Sequence, residues 1–303
     1  MISSKYLIAI VGPTAIGKTA LSIKLAQYFN TEILSADSRQ FFKEMSIGTA
    51  APTSEELLAA KHHFIHHKSI TDDYNVGSFE QDAITLLNEL YKTKNVVVLV
   101  GGSGLYVDAV VNGLDHFPKV DSSIREALNE TLKTKGLVSL QDQLRKLDLE
   151  SYNSIAIDNP HRVIRALEIS IGTNKPYSSY LKQKKVERQF KTIYIGLTAE
   201  RDIIYDRINK RVETMISEGL LEEAKTLYPQ KDLNALNTVG YKELFEYFEG
   251  NCSLDFAISE IQKNTRRFAK RQLTWYRKNP NIHWFDYKTD VIEIGKYIKK
   301  LMV

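Results

Sequence analysis

Tyr6-Leu-Ile-Ala-Ile-Val11 runs straight into Gly12-Pro13-Thr14-Ala15-Ile16-Gly17-Lys18-Thr19, and this join decides the fold. Six apolar residues ended by a glycine match a strand buried on both faces of a parallel sheet. After Thr19, Leu21, Leu25 and Phe29 recur every four positions, as on one face of a helix. The segment between fits G-x-x-x-x-G-K-[ST]. Its glycines let successive backbone N–H groups face a phosphate, and the helix N-terminus adds positive potential. Lys18 contributes a point charge, and the Thr19 hydroxyl can complete a magnesium shell. The competing reading is a chance match in a turn; the strand before and the helix after weigh against it. The motif predicts a bound di- or triphosphate. It does not predict hydrolysis of a nucleotide.

Working outward, Thr31-Glu-Ile-Leu-Ser-Ala36 reads as a second strand and Asn95-Val-Val-Val-Leu-Val100 as a third. Phe190 to Leu197 is a fourth, and Ile282 to Tyr287 a late one. Ser78 with Gln81 forms a capping box for a helix carrying Ile84, Leu87, Leu90 and Tyr91. Strands alternating with helices predict an α/β fold with a mainly parallel sheet. From Asp121 to Lys185 only helical patterns occur. Ile124, Leu128 and Leu132 form one stripe ending near Gly136, and Leu140, Leu144 and Leu147 a second. A third helix starts at Asn159 with Pro160 in its first turn, buries Ile164, Leu167 and Ile171, and stops at Gly172 before Pro176. The expected architecture is therefore a P-loop NTPase-like α/β core in two parts, 1–120 and 186–303. An all-helical insertion domain, 121–185, interrupts it.

The 303 residues are 43% hydrophobic and 26% charged, which excludes a disordered, collagen-like or coiled-coil chain. The longest apolar runs are too short to span a bilayer, so no membrane partner is expected. The N-terminus lacks a small-residue cleavage site and reads as a first strand, not a signal peptide. The single cysteine, Cys252, excludes an internal disulfide and a thiolate zinc cluster, and a cytoplasmic location follows by default. Lys plus Arg total 41 against 37 Asp plus Glu. Between Ser253 and Val303, however, stand 11 basic and 5 acidic residues. A basic segment on a near-neutral body suits a polyanionic partner, or else is a solvated helical face. Its stripe Lys263, Arg266, Arg267, Lys270 and Arg271, followed by Trp275, Tyr276 and Arg277, suits phosphates and splayed bases. The aromatic residues are equally readable as core.

The usual companion of a phosphate loop is an apolar strand ending in the Asp that holds magnesium. Val96 to Val100 ends instead in Gly101-Gly102-Ser103-Gly104. The strand-end acid nearby is Asp37. This disfavours a motor-type ATPase and favours a transferase that holds a phosphorylated donor in the loop. Asp37 and Ser103 both follow carboxyl ends of strands, beside the phosphate loop. Asp37 is placed to take a proton from an incoming nucleophile, or simply to cap a turn. His62-His63-Phe64-Ile65-His66-His67 raises a metal site, but the spacing is poor for a tetrahedral shell, so it is read as a polar loop.

Taken together, the phosphate loop, Asp37-Ser38-Arg39-Gln40 and Gly101-Gly-Ser-Gly-Leu-Tyr106 resemble the tRNA dimethylallyltransferases. So do Asn159-Pro-His-Arg162-Val-Ile-Arg165-Ala-Leu-Glu168, Thr238-Val-Gly-Tyr-Lys-Glu243 and Arg271-Gln-Leu-Thr-Trp-Tyr-Arg277. The resemblance spans Ile8 to about Phe285. It implies transfer of a dimethylallyl group from its diphosphate to N6 of the adenosine 3′ of the anticodon in certain tRNAs. The loop Gly12–Thr19 would hold the diphosphate with Mg2+ on Thr19. Asp37, Ser103 and Arg211 would be catalytic, with Arg207 one turn before Arg211. The tRNA anticodon stem-loop would lie on Asp37, Ser38, Arg39, Gln40, Ser103, Arg125, His161, Arg162, Val163, Ile164 and Arg165. Without the resemblance, Arg207 and Arg211 read as a solvated helix face. The protein is expected to be a monomer. His66 stands where the family often has Asp, and Ser103 where Thr is common. A C-terminal zinc finger is absent, which points to the bacterial type. The alternatives are a small-molecule or nucleotide (ATP-binding) kinase and an isopentenyltransferase acting on adenine nucleotides.

Overall fold

The computed structural model describes residues 4–181 and 187–302. The chain divides into two compact units, Met1–Asn112 with Glu187–Val303, and Gly113–Val186. The first unit opens with β1 (Tyr6–Val11), α1 (Lys18–Phe29), β2 (Ile33–Ser35), α2 (Ser54–Ala59), β3 (His62–His63), α3 (Val76–Leu90), β4 (Val96–Val100) and α4 (Gly104–Asn112). In the second unit follow α5 (Ser122–Leu147), α6 (Leu149–Ser154) and α7 (Pro160–Thr173). The chain returns to the first unit with β5 (Lys191–Thr198), α8 (Arg201–Ser217), α9 (Leu220–Leu227), α10 (Tyr241–Phe248), α11 (Leu254–Tyr276), β6 (Ile282–Asp286) and α12 (Val291–Leu301).

The strands form one six-stranded sheet in the order β3-β2-β4-β1-β5-β6, and every pair is parallel. Strand side chains alternate between faces. Tyr6, Ile8 and Ile10 therefore pack with Leu25 of α1, Ile208 of α8 and Ile294 of α12. Leu7, Ala9 and Val11 pack on the opposite face with Phe79, Leu87 and Val110 of α3 and α4. Helices on both faces explain the unbroken apolar runs. A third cluster joins Phe42 and Met45 to α9, α10 and the first half of α11, centred on the fully buried Tyr241.

The second unit has its own core, built from Leu128, Leu140, Leu144, Val163, Ile164 and Leu167. Its first two stripes form one helical run with a break at Gly136 (φ 76°, ψ 176°), where the sequence places the end of the first. The unit begins at Gly113 rather than at Asp121.

Three local expectations are corrected. The N-cap of α3 is Asn75, whose side chain accepts from the N–H groups of Gly77 and Ser78, so the Ser78–Gln81 capping box does not form. Helix α7 continues through Gly172 to an Asn174 cap in the left-handed region (φ 54°). Gly172 instead permits close packing, because a Cβ there would lie 2.5 Å from Val120. The histidine run is not a polar loop. His62 and His63 form an edge strand, and His67 packs edge-on against Phe41, Phe64 and Tyr74. Among the described residues no group of three His, Cys, Asp or Glu side chains is placed to hold a metal. No described helix is long and apolar enough to cross a membrane.

Candidate active site

The loop between β1 and α1 is held in a conformation that few residues tolerate. Gly12 lies at φ 143°, and a Cβ there would come within 2.6 Å of the Leu197 carbonyl oxygen on β5. Ala15 adopts φ 64°, a left-handed geometry that costs a non-glycine residue about 1 kcal/mol or more. Arg207 offsets this from α8, its Nε donating to the Ala15 carbonyl at 2.7 Å. Arg211, one turn on, places Nη1 3.5 Å from Thr14 Oγ1. The two arginines therefore face the loop, not solvent. Lys18 Nζ donates to the Pro13 carbonyl at 2.8 Å. Burial first, then the charge of Arg211, push the Lys18 ammonium down to about 7, against a smaller opposing pull from Asp37. Burial and then Arg207 also lower the Arg211 guanidinium. Cations crowded this closely suit a polyanionic ligand.

They line a cavity of about 860 Å³ that also contains Thr19, Ser35 and Asp37. A second cavity of about 610 Å³ is bounded by Ser38, Ser103, Leu105, Tyr106, Phe268, Arg271 and Trp275. Thr14, Asp37, Gly102, Arg211 and Met215 belong to both walls. One side is thus built for phosphate and the other for a flat, partly apolar group, with a carboxylate at the junction.

Asp37 Oδ1 accepts from the Arg39 N–H at 3.0 Å, so the turn-cap reading is also correct. That bond leaves Oδ2 without a hydrogen-bond partner among the described residues. Ser103 Oγ lies 3.3 Å from both the backbone N and the Oγ of Ser38, joining the loops after β2 and β4. Arg39 and Gln40 do not present their polar groups as a free surface. Arg39 donates to the carbonyls of Asn234, Ala235 and Asn237. Gln40 Nε2 donates to Thr49 and Ala50, and Ser35 donates to its Oε1. Both side chains therefore fix the walls of the cavities. Trp275 is 40% exposed at the second cavity, and its Nε1 donates to Asp108 at 2.9 Å.

Two side chains that shape the site escape the sequence reading. Glu223 on α9 accepts from the N–H groups of Ser46, Ile47 and Gly48 and from the Tyr241 hydroxyl. It pins the loop that carries Thr49 and Ala50. Gln272 on α11, 5% exposed, accepts from the Thr14 N–H at 2.8 Å and donates to the Gly102 carbonyl at 2.9 Å. Their sequence signal is faint: Gln272 sits inside the Arg271–Arg277 motif, while Glu223 lies in no motif quoted above.

In the second unit, Arg125 makes a two-pronged pair with Glu168 (3.0 and 2.7 Å), and Arg165 adds a third bond at 2.9 Å. His161 and Arg162 are exposed. Val163 and Ile164 are 0% and 2% exposed, which corrects their expected place in an RNA-contacting run: they are core. The lysines after Tyr180 fall outside the described residues.

The residues present fit a magnesium ion. Among the described residues no carboxylate cage exists, but the Thr19 hydroxyl shares its cavity with Ser35 and Asp37. Mg2+ commonly takes one or two protein oxygens, phosphate oxygens and water.

The Lys18 environment gives a pH prediction. Below about 7 the ammonium is charged and ready for a phosphate; above it, binding a diphosphate must draw a proton back onto Lys18. We expect diphosphate affinity to fall as pH rises through 7, with proton uptake that Lys18→Met abolishes. Calorimetry in buffers of different ionisation heat reads both. For stability the folded value lies below the ordinary 10.5, so the unfolded chain binds more protons between about 7 and 10.5. The Lys18 contribution therefore makes stability rise with pH across that window.

A parallel sheet with a phosphate loop after its central strand, opening onto a second cavity at an acid, defines a P-loop protein built for group transfer. Residues 40–279 match the family described as IPP transferase. The chain is 63% identical to a tRNA dimethylallyltransferase of Christiangramia forsetii, over 98% of both chains. It is 58% identical to one of Flavobacterium johnsoniae, over 97% of both. Among solved structures it resembles the tRNA isopentenylpyrophosphate transferase of Bacillus halodurans, with 40% identity, TM-score 0.74, and coverage of 98% and 97%. It also resembles a eukaryotic dimethylallyltransferase acting on tRNA, with 25% identity, TM-score 0.80, and coverage of 98% of this chain and 77% of that one. The chain belongs to the IPP transferase family.

Proposed function

We propose that the protein transfers the dimethylallyl group of dimethylallyl diphosphate to N6 of the adenosine 3′ of the anticodon in certain tRNAs. It would act as a cytoplasmic monomer. The observation that carries this reading is the meeting of the cationic cavity and the flat, partly apolar cavity at Asp37.

Lys18, Arg207 and Arg211 hold the diphosphate. A Mg2+ on Thr19 supplies further charge to the leaving group when bound. The N6 lone pair attacks C1 of the dimethylallyl group while the C1–O bond breaks, its electron pair leaving with the diphosphate. An aromatic amine is a weak nucleophile, because its lone pair is delocalised into the ring. A hydrogen bond from N6–H to Asp37 raises electron density during attack, and Asp37 then accepts the proton. Fixed cations at the developing diphosphate charge lower the barrier without reorganising. The adenine leaves its stack at a cost of a few kcal/mol, least in a loop, and rests among Trp275, Tyr106 and Phe268. In the second unit, Arg125, His161, Arg162 and Arg165 supply phosphate contacts for the stem.

The test incubates the protein with dimethylallyl diphosphate, magnesium and unmodified tRNA, with adenine nucleotides as a parallel acceptor. Mass spectrometry of the digested nucleosides should show a dimethylallyl adenosine from tRNA only. Modification of the free nucleotide alone would replace this reading with the nucleotide-acceptor one.

A further inference from the structure

Gln272 is the one side chain that bonds directly to both the phosphate loop and the glycine loop after β4, among the described residues. Its two partners are 258 and 170 residues away in sequence. The bonds use the amide fully and in one orientation. Thr14 N–H only donates, so Oε1 must face it; the Gly102 carbonyl only accepts, so Nε2 must face that. A glutamate would bring an acceptor against the Gly102 carbonyl. A methionine of similar length would make neither bond. Gly102 itself is shaped to the contact, since a Cβ there would lie 2.3 Å from Nε2.

Position on α11 gives this bridge a consequence. Phe268, Arg271 and Trp275 lie within one turn of Gln272 and line the flat cavity. Tyr276, on the same helix, donates from its hydroxyl to the Gly101 carbonyl at 3.3 Å. A ligand that settles on α11 therefore bears on a helix whose buried amide holds the backbone of the donor loop. Thr14 is followed at once by Ala15, whose left-handed backbone gives the loop its bend.

We propose that Gln272 is a positioning residue that couples the two halves of the site. Occupation of the flat cavity by the acceptor RNA steadies α11 and, through the Gln272 amide, the donor loop, so each substrate tightens the other. Linkage requires the effect to be reciprocal. Gln272 touches neither substrate; its contribution is the mutual tightening.

The inference rests on the transfer reading above, and the experiment separates the two. The Kd of dimethylallyl S-thiolodiphosphate, an unreactive donor, is measured with magnesium in the absence and presence of saturating unmodified anticodon stem-loop. The wild-type chain should show about tenfold or greater tightening. Gln272→Met and Gln272→Glu should reduce that factor below about twofold, while the donor and the stem-loop, each measured alone, stay within about threefold of wild type. A variant that keeps the full factor, or a wild type that shows none, overturns the coupling. A purely structural role would weaken both single-ligand affinities together and leave their ratio intact, which also overturns it. If either variant melts early, Gly102→Ala perturbs the same bond from its other end and should lose the factor likewise. Wild-type prenylation of the stem-loop, assayed in the same preparation with true donor, tests the transfer reading alone. If prenylation proceeds but Gln272→Met keeps the factor, only the coupling fails.

Discussion

Asp37→Asn lowers single-turnover dimethylallyl transfer by about 10²- to 10⁴-fold, or about 3–5 kcal/mol of barrier. The substitution is nearly isosteric, and the amide oxygen can still accept from the Arg39 N–H, so the turn after β2 survives. The position of Oδ2 then carries an amide NH2 toward the cavities. A donor faces the N6–H donor, and no group takes the proton. Donor and tRNA affinities should stay within about threefold, because neither the cations nor the second unit is touched. One correction matters: Asp37 raises the Lys18 value, so its loss makes Lys18 easier to deprotonate. The comparison therefore belongs at about pH 6, where Lys18 is charged in both proteins. Turnover close to wild type there would remove Asp37 from the chemistry and leave it as a turn cap.

The elements that sequence reveals well are those whose signal is local. β1, β4 and β5 are buried on both faces, so each reads as an apolar run, and Gly12 marks where the chain must bend. Asp37 and Ser103 are visible because a parallel sheet puts the residues after its strand ends on one rim. β3 is invisible for the opposite reason. It is a two-residue edge strand of histidines, fixed by pairing with β2 rather than by its own pattern. At the start of α3, Asn75 and Ser78 both carry capping side chains. Gly77 within the first turn lowers helix propensity, which draws the expected start to Ser78; the two N–H groups that Asn75 accepts decide the matter.

The site divides the same way. Lys18 and Thr19 are legible in the loop motif, whereas Arg207 and Arg211 become distinct from a solvated face only when α8 is seen packed against the loop. A basic or amide residue in a motif has no sequence mark for which way it points. Arg39 and Gln40 look like an RNA surface, yet they are committed to carbonyls on their own chain. Val163 and Ile164 fall within a run whose neighbours are exposed, but the helical period turns them inward.

Replacing the second unit with a short Gly/Ser linker should leave a folded first unit that binds dimethylallyl diphosphate normally and tRNA about 10²-fold more weakly. The fold argument rests on separate cores. The sheet packs against its own helices, and the second unit packs around Leu140, Leu144 and Leu167. The linker need not be long, because Arg188 Nη2 donates to the Ala109 carbonyl at 2.8 Å, next to where the chain leaves the first unit. Every donor-site side chain, from Thr14 to Arg211, belongs to the first unit. What disappears is a set of cations. Arg125, Arg162 and Arg165 bring three charges, but Glu168 neutralises one of them. A net loss of two should flatten the slope of log affinity against log salt by about 1.4–1.8, at 0.7–0.9 per charge. With about 1 kcal/mol for each lost arginine–phosphate contact, the three together account for the 10²-fold. Donor calorimetry and filter binding of tRNA at several salt concentrations measure both halves. Full tRNA affinity in the deleted protein would place the RNA surface on the basic face of α11 instead. Loss of the diphosphate site would show that the first unit depends on the second for its fold.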